Sequence, residues 1–206
     1  MRPIGYSARA TVGAMKRRPL ALPRRALCLL ALAWLPAASA EGTSEATAWA
    51  ALREGAIVLF RHAHAPGVGD PLQFRLGDCS TQRNLDDSGR TQARRLGERL
   101  KRESVPVRAV WASQWCRTRD TAELAALGPV REVPAFNSFF GERGDEPAQT
   151  AAARALLLGW RERGTLVVVT HQVNISALTG QGAASGEGIV LRAEGDSLKL
   201  VGRIQP

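Results

Sequence analysis

Ile57-Val58-Leu59-Phe60-Arg61-His62-Ala63 is a run of four apolar residues that ends abruptly in an arginine and a histidine. A short continuous apolar run is the pattern of a strand buried on both faces. Arg61 and His62 therefore stand where a strand leaves the core. In open α/β sheets, ligands bind just outside the carboxyl ends of strands. A second run far downstream, Leu166-Val167-Val168-Val169-Thr170-His171, has the same form. The chain holds three histidines, and two of them end such runs; the third, His64, lies beside the first.

The 206 residues suffice for one domain. The formal charge of +9 suggests an anion-binding surface until its location is examined. Residues 1–40 hold seven Lys/Arg and no acid, which leaves 21 basic against 19 acidic residues in the remainder. The basicity belongs to the leader, and nucleic-acid binding loses its main support. Lys16 to Arg25 form a basic segment, residues 26–36 an apolar one, and Ala38-Ser39-Ala40 a small-residue cleavage site. Together they have the layout of a secretory signal, so residues 1–40 are expected to be a signal peptide and 41–206 the mature domain. The apolar segment falls short of the ~20 residues that span a bilayer, so no stable membrane insertion is expected after cleavage. Met15, directly before the basic segment, is an alternative start. Export predicts an envelope location, periplasmic in a Gram-negative cell. Cys79 and Cys116 remain after cleavage, and an even count in an exported chain permits one disulfide, with two free thiols the alternative.

Along the mature chain the patterns predict a short helix over 46–53, a strand over 56–61 and a Gly/Pro-rich loop over 63–83. A helix then opens at the N-cap Asp86 and buries Ala93, Leu96 and Leu100. Its charged face, from Arg90 to Arg99, reads as solvated. Further strands are expected at 107–113, 130–134 and 165–170, and helices at 118–127, 147–163 and 174–178. A closing hairpin is expected at 189–193 and 197–204. Strands alternating with helices indicate an α/β three-layer sandwich with a mostly parallel central sheet flanked by helices.

Three strand ends thus supply Arg61 with His62, Arg117, and His171. Guanidinium forks match phosphate or carboxylate oxygens. A neutral imidazole among cations keeps a lone pair, because those cations lower its pKa. His62 is on this reading a nucleophile toward phosphorus. Arg61, Arg117 and His171 would supply the stabilised charge that phosphoryl transfer needs.

These residues carry a family resemblance. Arg61-His62-Ala63 resembles the Arg-His-Gly signature of the histidine phosphatase (phosphoglycerate mutase-like) superfamily. The stretch from Asn84 to Ala93 is similar to its L-T-x-x-G-x-x-Q-A helix start. Ser113 to Ala122 is similar to its S-x-x-x-R-x-x-x-T-A segment, and Thr170 to Asn174 to its second-histidine segment. The resemblance implies the phosphoglycerate mutase-like sandwich. It makes His62 the residue that becomes phosphohistidine, and Arg61, Arg117 and His171 the holders of the phosphoryl group. Gln172 and His64 become candidate substrate contacts. It implies no metal and no cofactor, and a small phosphorylated molecule as partner; oligomeric state is left open.

Two departures stand out. Ala63 replaces the signature glycine. Ser138, after Phe136-Asn137, stands where mutase-type members carry an acidic proton donor, which leaves Glu142, Asp145 and Glu146 as candidates, with Glu142 favoured as nearest. Phe139, Phe140 and Trp115 are candidates for stacking on a substrate ring. The expected function is an exported phosphomonoesterase. Its size resembles lipopolysaccharide core heptose(II)-phosphate phosphatases, which suggests a phosphorylated envelope sugar as substrate. The alternatives are a phosphoglycerate mutase-type phosphotransferase and a non-catalytic phosphate- or phosphosugar-binding module.

Overall fold

The computed structural model describes residues 44–141 and 144–206. The leader reading, with its signal peptide and start site, and Glu142 lie outside them. All described residues belong to one unit, Ser39–Pro206.

The elements run α1 (Glu45–Arg53), β1 (Ile57–Arg61), α2 (Asp87–Arg102), β2 (Val107–Ala112), α3 (Cys116–Ala125), β3 (Val130–Glu132), α4 (Glu146–Leu158), β4 (Thr165–Thr170), α5 (Gln172–Thr179), β5 (Gly188–Glu194) and β6 (Ser197–Ile204). The six strands form one sheet in the order β3-β2-β4-β1-β5-β6. The first four are parallel; β5 runs antiparallel to β1 and to β6. The mostly parallel α/β sandwich is thus the fold observed.

Alternation along the buried strands divides the core in two. Val58, Phe60, Val110, Ala112, Val167 and Val169 pack against α1, α2 and α3. Ile57, Leu59, Trp111, Leu166 and Val168 pack against α4 and α5. Because both faces are covered, β1 and β4 need apolar side chains at successive positions, which is why they appear as unbroken runs. β4 lies between β1 and β2, pairing Ile57 with Leu166 and Val110 with Val167. The carboxyl ends of three parallel strands therefore adjoin.

Several boundaries differ from expectation. α4 ends at Leu158 with Gly159 as its C-cap, not at residue 163. The next residues turn back, and Trp160 packs edge-on against Trp111 at 5.7 Å. α3 and α5 each begin two residues earlier than predicted, at Cys116 and Gln172. This puts Arg117 inside the first helical turn rather than in the turn before it. β3 stops at Glu132, and Pro134–Phe136 form a 3-10 turn.

Candidate active site

The strand ladder continues one residue past β1 and β2: His62 N donates to Thr170 O at 3.0 Å, and Ser113 N to Val169 O at 3.1 Å. This fixes His62, Ser113 and His171 side by side at the sheet rim. The His62 and His171 rings lie 5.6 Å apart between centroids and 65° from parallel. His62, Arg117 and His171 are each only 3% exposed.

Hydrogen bonding assigns the His62 proton. Its Nδ1 lies 2.7 Å from Ala63 O. A carbonyl oxygen only accepts, so Nδ1 carries the hydrogen and Nε2 keeps its lone pair. Burial first, then the Arg117 guanidinium, push the imidazole down to about 3. The bond to Ala63 opposes this, while Arg83 and Arg61 add to it. His171 is also held well below the usual imidazole range, by burial and then by Arg117 and His62. Its Nε2 lies 2.8 Å from Ser113 Oγ, which also accepts from Trp115 N at 3.2 Å. Arg117 Nη2, which can only donate, lies 3.4 Å from His171 Nδ1, so Nδ1 accepts and Nε2 carries the proton toward Ser113 Oγ.

Arg117 is clamped by Asp70, a loop residue that pattern reading missed. Nη1 and Nη2 donate to Asp70 Oδ1 and Oδ2 at 2.7 and 3.2 Å. Asp70 Oδ2 also accepts from Trp115 Nε1 at 3.0 Å, and Oδ1 from Arg83 N at 3.1 Å. Burial pushes the Asp70 carboxyl up, but the Arg117 bonds outweigh it and leave the group below the ordinary carboxylate range. Asp70 is therefore an anion that orients Arg117, not a proton donor. A cavity of about 220 Å³ opens over these groups, with Arg61, His62, Arg83, Arg117 and His171 at its cationic end. Arg83 is the second residue that pattern reading missed. It is anchored through Nε to Gly69 O at 2.8 Å and through Nη1 to Ala65 O. Arg61 holds Ala183 O through Nη1 at 3.0 Å. The α5 N-terminus adds backbone donors: it has no side-chain cap, and Gln172 and Val173 line the cavity. A concave site with three arginines, two imidazoles and an open helix N-terminus suits a phosphoryl dianion.

The motif residues around the cluster position it. Gln92 takes His64 N on Oε1 at 2.9 Å and gives Nε2 to Ser185 O at 2.7 Å, holding two loops together. Thr121 Oγ1 receives Ala63 N at 3.0 Å. Gly89 lets α2 approach the chain after β1: a Cβ there would stand 2.0 Å from His64 O. Ala63 itself is fully buried and packs with Ala65, Leu85 and Ala93, so the methyl that departs from the signature has a place in the core. A disulfide joins Cys79 to Cys116, with Cα atoms 5.7 Å apart, and so ties the long loop to the start of α3.

The other candidates are placed differently. His64 is not among the cavity's lining residues; its Nδ1 meets Asp86 Oδ2 at 3.1 Å and Ser88 Oγ at 3.2 Å. Gln172 lines the cavity, but its amide bonds Ser176 Oγ at 3.0 Å and Ala183 N at 2.9 Å. Ser138 is buried at the cavity wall, its Oγ accepting from Phe140 N at 3.3 Å. Asp145 caps α4 through Ala148 N at 2.9 Å, and Glu146 sits exposed in the first turn. Trp115 packs inside, stacked on Phe74 at 4.9 Å and edge-on to His171 at 5.5 Å, so it buttresses the site instead of facing a substrate. Phe140 does line the cavity. Among the described residues there is no group of three or more His, Cys, Asp or Glu placed to hold a metal, and no helix long and apolar enough to cross a membrane.

Residues 57–155 match the family model described as histidine phosphatase superfamily, branch 1. No curated protein matches the sequence. Solved structures do. The protein histidine phosphatase SixA complexed with tungstate superposes with a TM-score of 0.54 at 17% identity, over 73% of this chain and 97% of that one. A mycobacterial glucosyl-3-phosphoglycerate phosphatase gives 0.53 at 19% identity, over 72% and 97%. A phosphoserine phosphatase from Entamoeba histolytica, in complex with phosphoserine, gives 0.53 at 15% identity, over 72% and 96%. At these identities the likeness to each structure is one of fold.

Proposed function

We propose that the chain is a member of the histidine phosphatase superfamily, whose model matches residues 57–155, and that it is an exported phosphomonoesterase working through a phosphohistidine on His62. The observation that carries this reading is the Nδ1–Ala63 O bond, which leaves a neutral Nε2 lone pair beside Arg117 and His171.

In the first step Nε2 attacks phosphorus, the N–P bond forms, and the ester P–O bond breaks. The leaving oxygen takes a proton from a general acid. In the second step water gives a proton to the now ionised general acid and attacks phosphorus, the O–P bond forms, the N–P bond breaks, and inorganic phosphate and the neutral imidazole are released. Arg61, Arg83 and Arg117, with the α5 amides, bear the charge on the equatorial oxygens. His171 lines the same cavity, with Arg117 Nη2 on its Nδ1 and Ser113 Oγ on its Nε2.

We assign the acid to Glu142. Ser138 is too weak an acid, Asp70 is held ionised, and Asp145 is engaged as a helix cap. The export layout of residues 1–40 and the Cys79–Cys116 bridge favour an envelope location, periplasmic in a Gram-negative cell. A phosphorylated envelope sugar would suit that location, but among the described residues the polar side chains on the cavity wall other than the arginines and histidines are Ser138 and Gln172, both already bonded.

The test is metal-free turnover of p-nitrophenyl phosphate by the mature chain. His62→Ala is expected to lower kcat by about 10³-fold or more. Glu142→Gln should spare this substrate and cost about 10²–10⁴-fold on an alkyl phosphate, whose leaving group needs a proton. Phosphate affinity without turnover in the unaltered chain would select the binding module and overturn the enzyme.

A further inference from the structure

The cavity's lining is of two chemical kinds. Beside the arginines and imidazoles it has Gly67, Val68, Gly69, Phe140 and Val173, with Ser138 and Gln172. The loops that carry most of this second kind are also where apolar surface is exposed. Six large apolar residues are exposed among those described, and four of them, Val68, Leu72, Leu76 and Phe140, lie on these two loops. Val68 is 88% exposed and Leu72 fully so. Single exposed apolar residues are ordinary on a protein surface, but Val68 and Phe140 both line this one cavity, and exposed apolar surface joined to a cavity marks a binding site. The two loops also meet: Phe140 Cε1 lies 3.5 Å from where a Cβ on Gly69 would stand.

A polyol leaving group would need hydrogen-bonding side chains beside the arginines, and a site built for hydroxyls places them there. Among the described residues Val68, Phe140 and Val173 offer hydrocarbon here, and Ser138 and Gln172 are already bonded within the protein. The cavity's 220 Å³ is also below the roughly 300–1,000 Å³ of pockets that enclose a whole ligand. A phosphoryl group and the first atoms of its substituent would fill it, and the rest of a longer substituent would lie across the exposed loops.

We propose that the substrate is a phosphomonoester whose leaving group is a hydrocarbon chain rather than a sugar, with Val68 and Phe140 selecting it. The proposal rests on the phosphatase reading for the word substrate, so its test measures binding without turnover. Methyl-, butyl- and octylphosphonate, which the enzyme cannot hydrolyse, are titrated by calorimetry beside 3,4-dihydroxybutylphosphonate. Affinity is expected to rise about two- to fourfold for each methylene that reaches the wall, with a negative heat-capacity change. The diol should bind more weakly than the butyl compound. Val68→Ser and Phe140→Ser should flatten the series.

A flat series in the unaltered chain, or a diol that binds more tightly than butyl, overturns the proposal. If p-nitrophenyl phosphate is turned over while the series is flat, only the hydrocarbon selectivity fails. If the series is steep without turnover, the selectivity stands and the enzyme reading fails. Co-sedimentation with phosphatidylcholine vesicles carrying octadecylphosphonate supports a membrane-borne chain. Binding of the octyl compound without co-sedimentation supports a soluble one.

Discussion

The floor and the rim of the site are built on opposite plans. On the floor, His62, Arg117 and His171 are each 3% exposed and held by assigned bonds to Ala63, Asp70 and Ser113. On the rim, Val68 and Phe140 are 88% and 49% exposed on loops rich in glycine. The floor stands on adjoining strand ends and the start of α3, with Asp70 and Arg83 brought to it from the long loop. The rim belongs to connecting segments, whose exposed positions tolerate change. One loop serves both regions, but burial separates them, and perturbing each should give effects of very different size.

The largest effect is expected at the Asp70–Arg117 pair, whose side chains are 4% and 3% exposed. Removing one partner of a buried pair costs about 3–5 kcal/mol, because the other charge is left uncompensated. Asp70→Ala should therefore lower the denaturant midpoint strongly and reduce kcat by misplacing Arg117. A loss below 1 kcal/mol would show that the floor is less rigidly determined than its bonds imply.

Acid comes next. The His62 imidazole is held down to about 3 in the folded chain, against about 6.5 when unfolded. Between those values the unfolded state binds a proton that the folded state refuses, so stability rises with pH and is lost as pH falls. From His62 alone the loss should reach roughly 3 kcal/mol by pH 4. His171 acts in the same direction. Unfolding curves at pH 7, 5 and 4 measure it, and His62→Gln should flatten the dependence. Nitrogen NMR should find His62 neutral and protonated on Nδ1 across that range.

The smallest effect belongs to the rim. Leu72→Ser, at a fully exposed position, should change stability by less than about 0.5 kcal/mol. A larger loss would mean that the loop is part of the core, and the contrast between the two regions would fail.

The same contrast explains what the sequence revealed. Arg61, His62 and His171 were legible because each follows a buried apolar run, and Arg117 because it follows the Val107–Ala112 strand. The helix start at Asp86 was legible from its cap. Asp70 and Arg83 were not, since they lie in a loop without periodicity and acquire their roles only through contact with Arg117 or the cavity. The Gly67-Val68-Gly69-Asp70 stretch offered one signal, a lone carboxylate among glycines. Gly89, Gln92 and Thr121 were visible as motif letters, but their work of fitting α2 and α3 to the strand end needed coordinates. The overlong α4 came from treating Trp160 to Arg163 as another helical turn, when Gly159 and the packing of Trp160 on Trp111 end it.

The central place of β4 has a consequence for biosynthesis. This strand is among the last to be made, yet it is the one inserted between the two that carry His62 and lead to Arg117. More than a hundred positions separate Ile57 from its partner Leu166, so the decisive pairing is late and slow by its topology. Until it forms, β1 and β2 face each other across an empty lane with unpaired edges, which is the state most exposed to aggregation. A ribosome-bound or prematurely terminated chain lacking residues 165–171 has no His171 and no strand to bring His62 and Arg117 together, so activity would report that translation had run past β4.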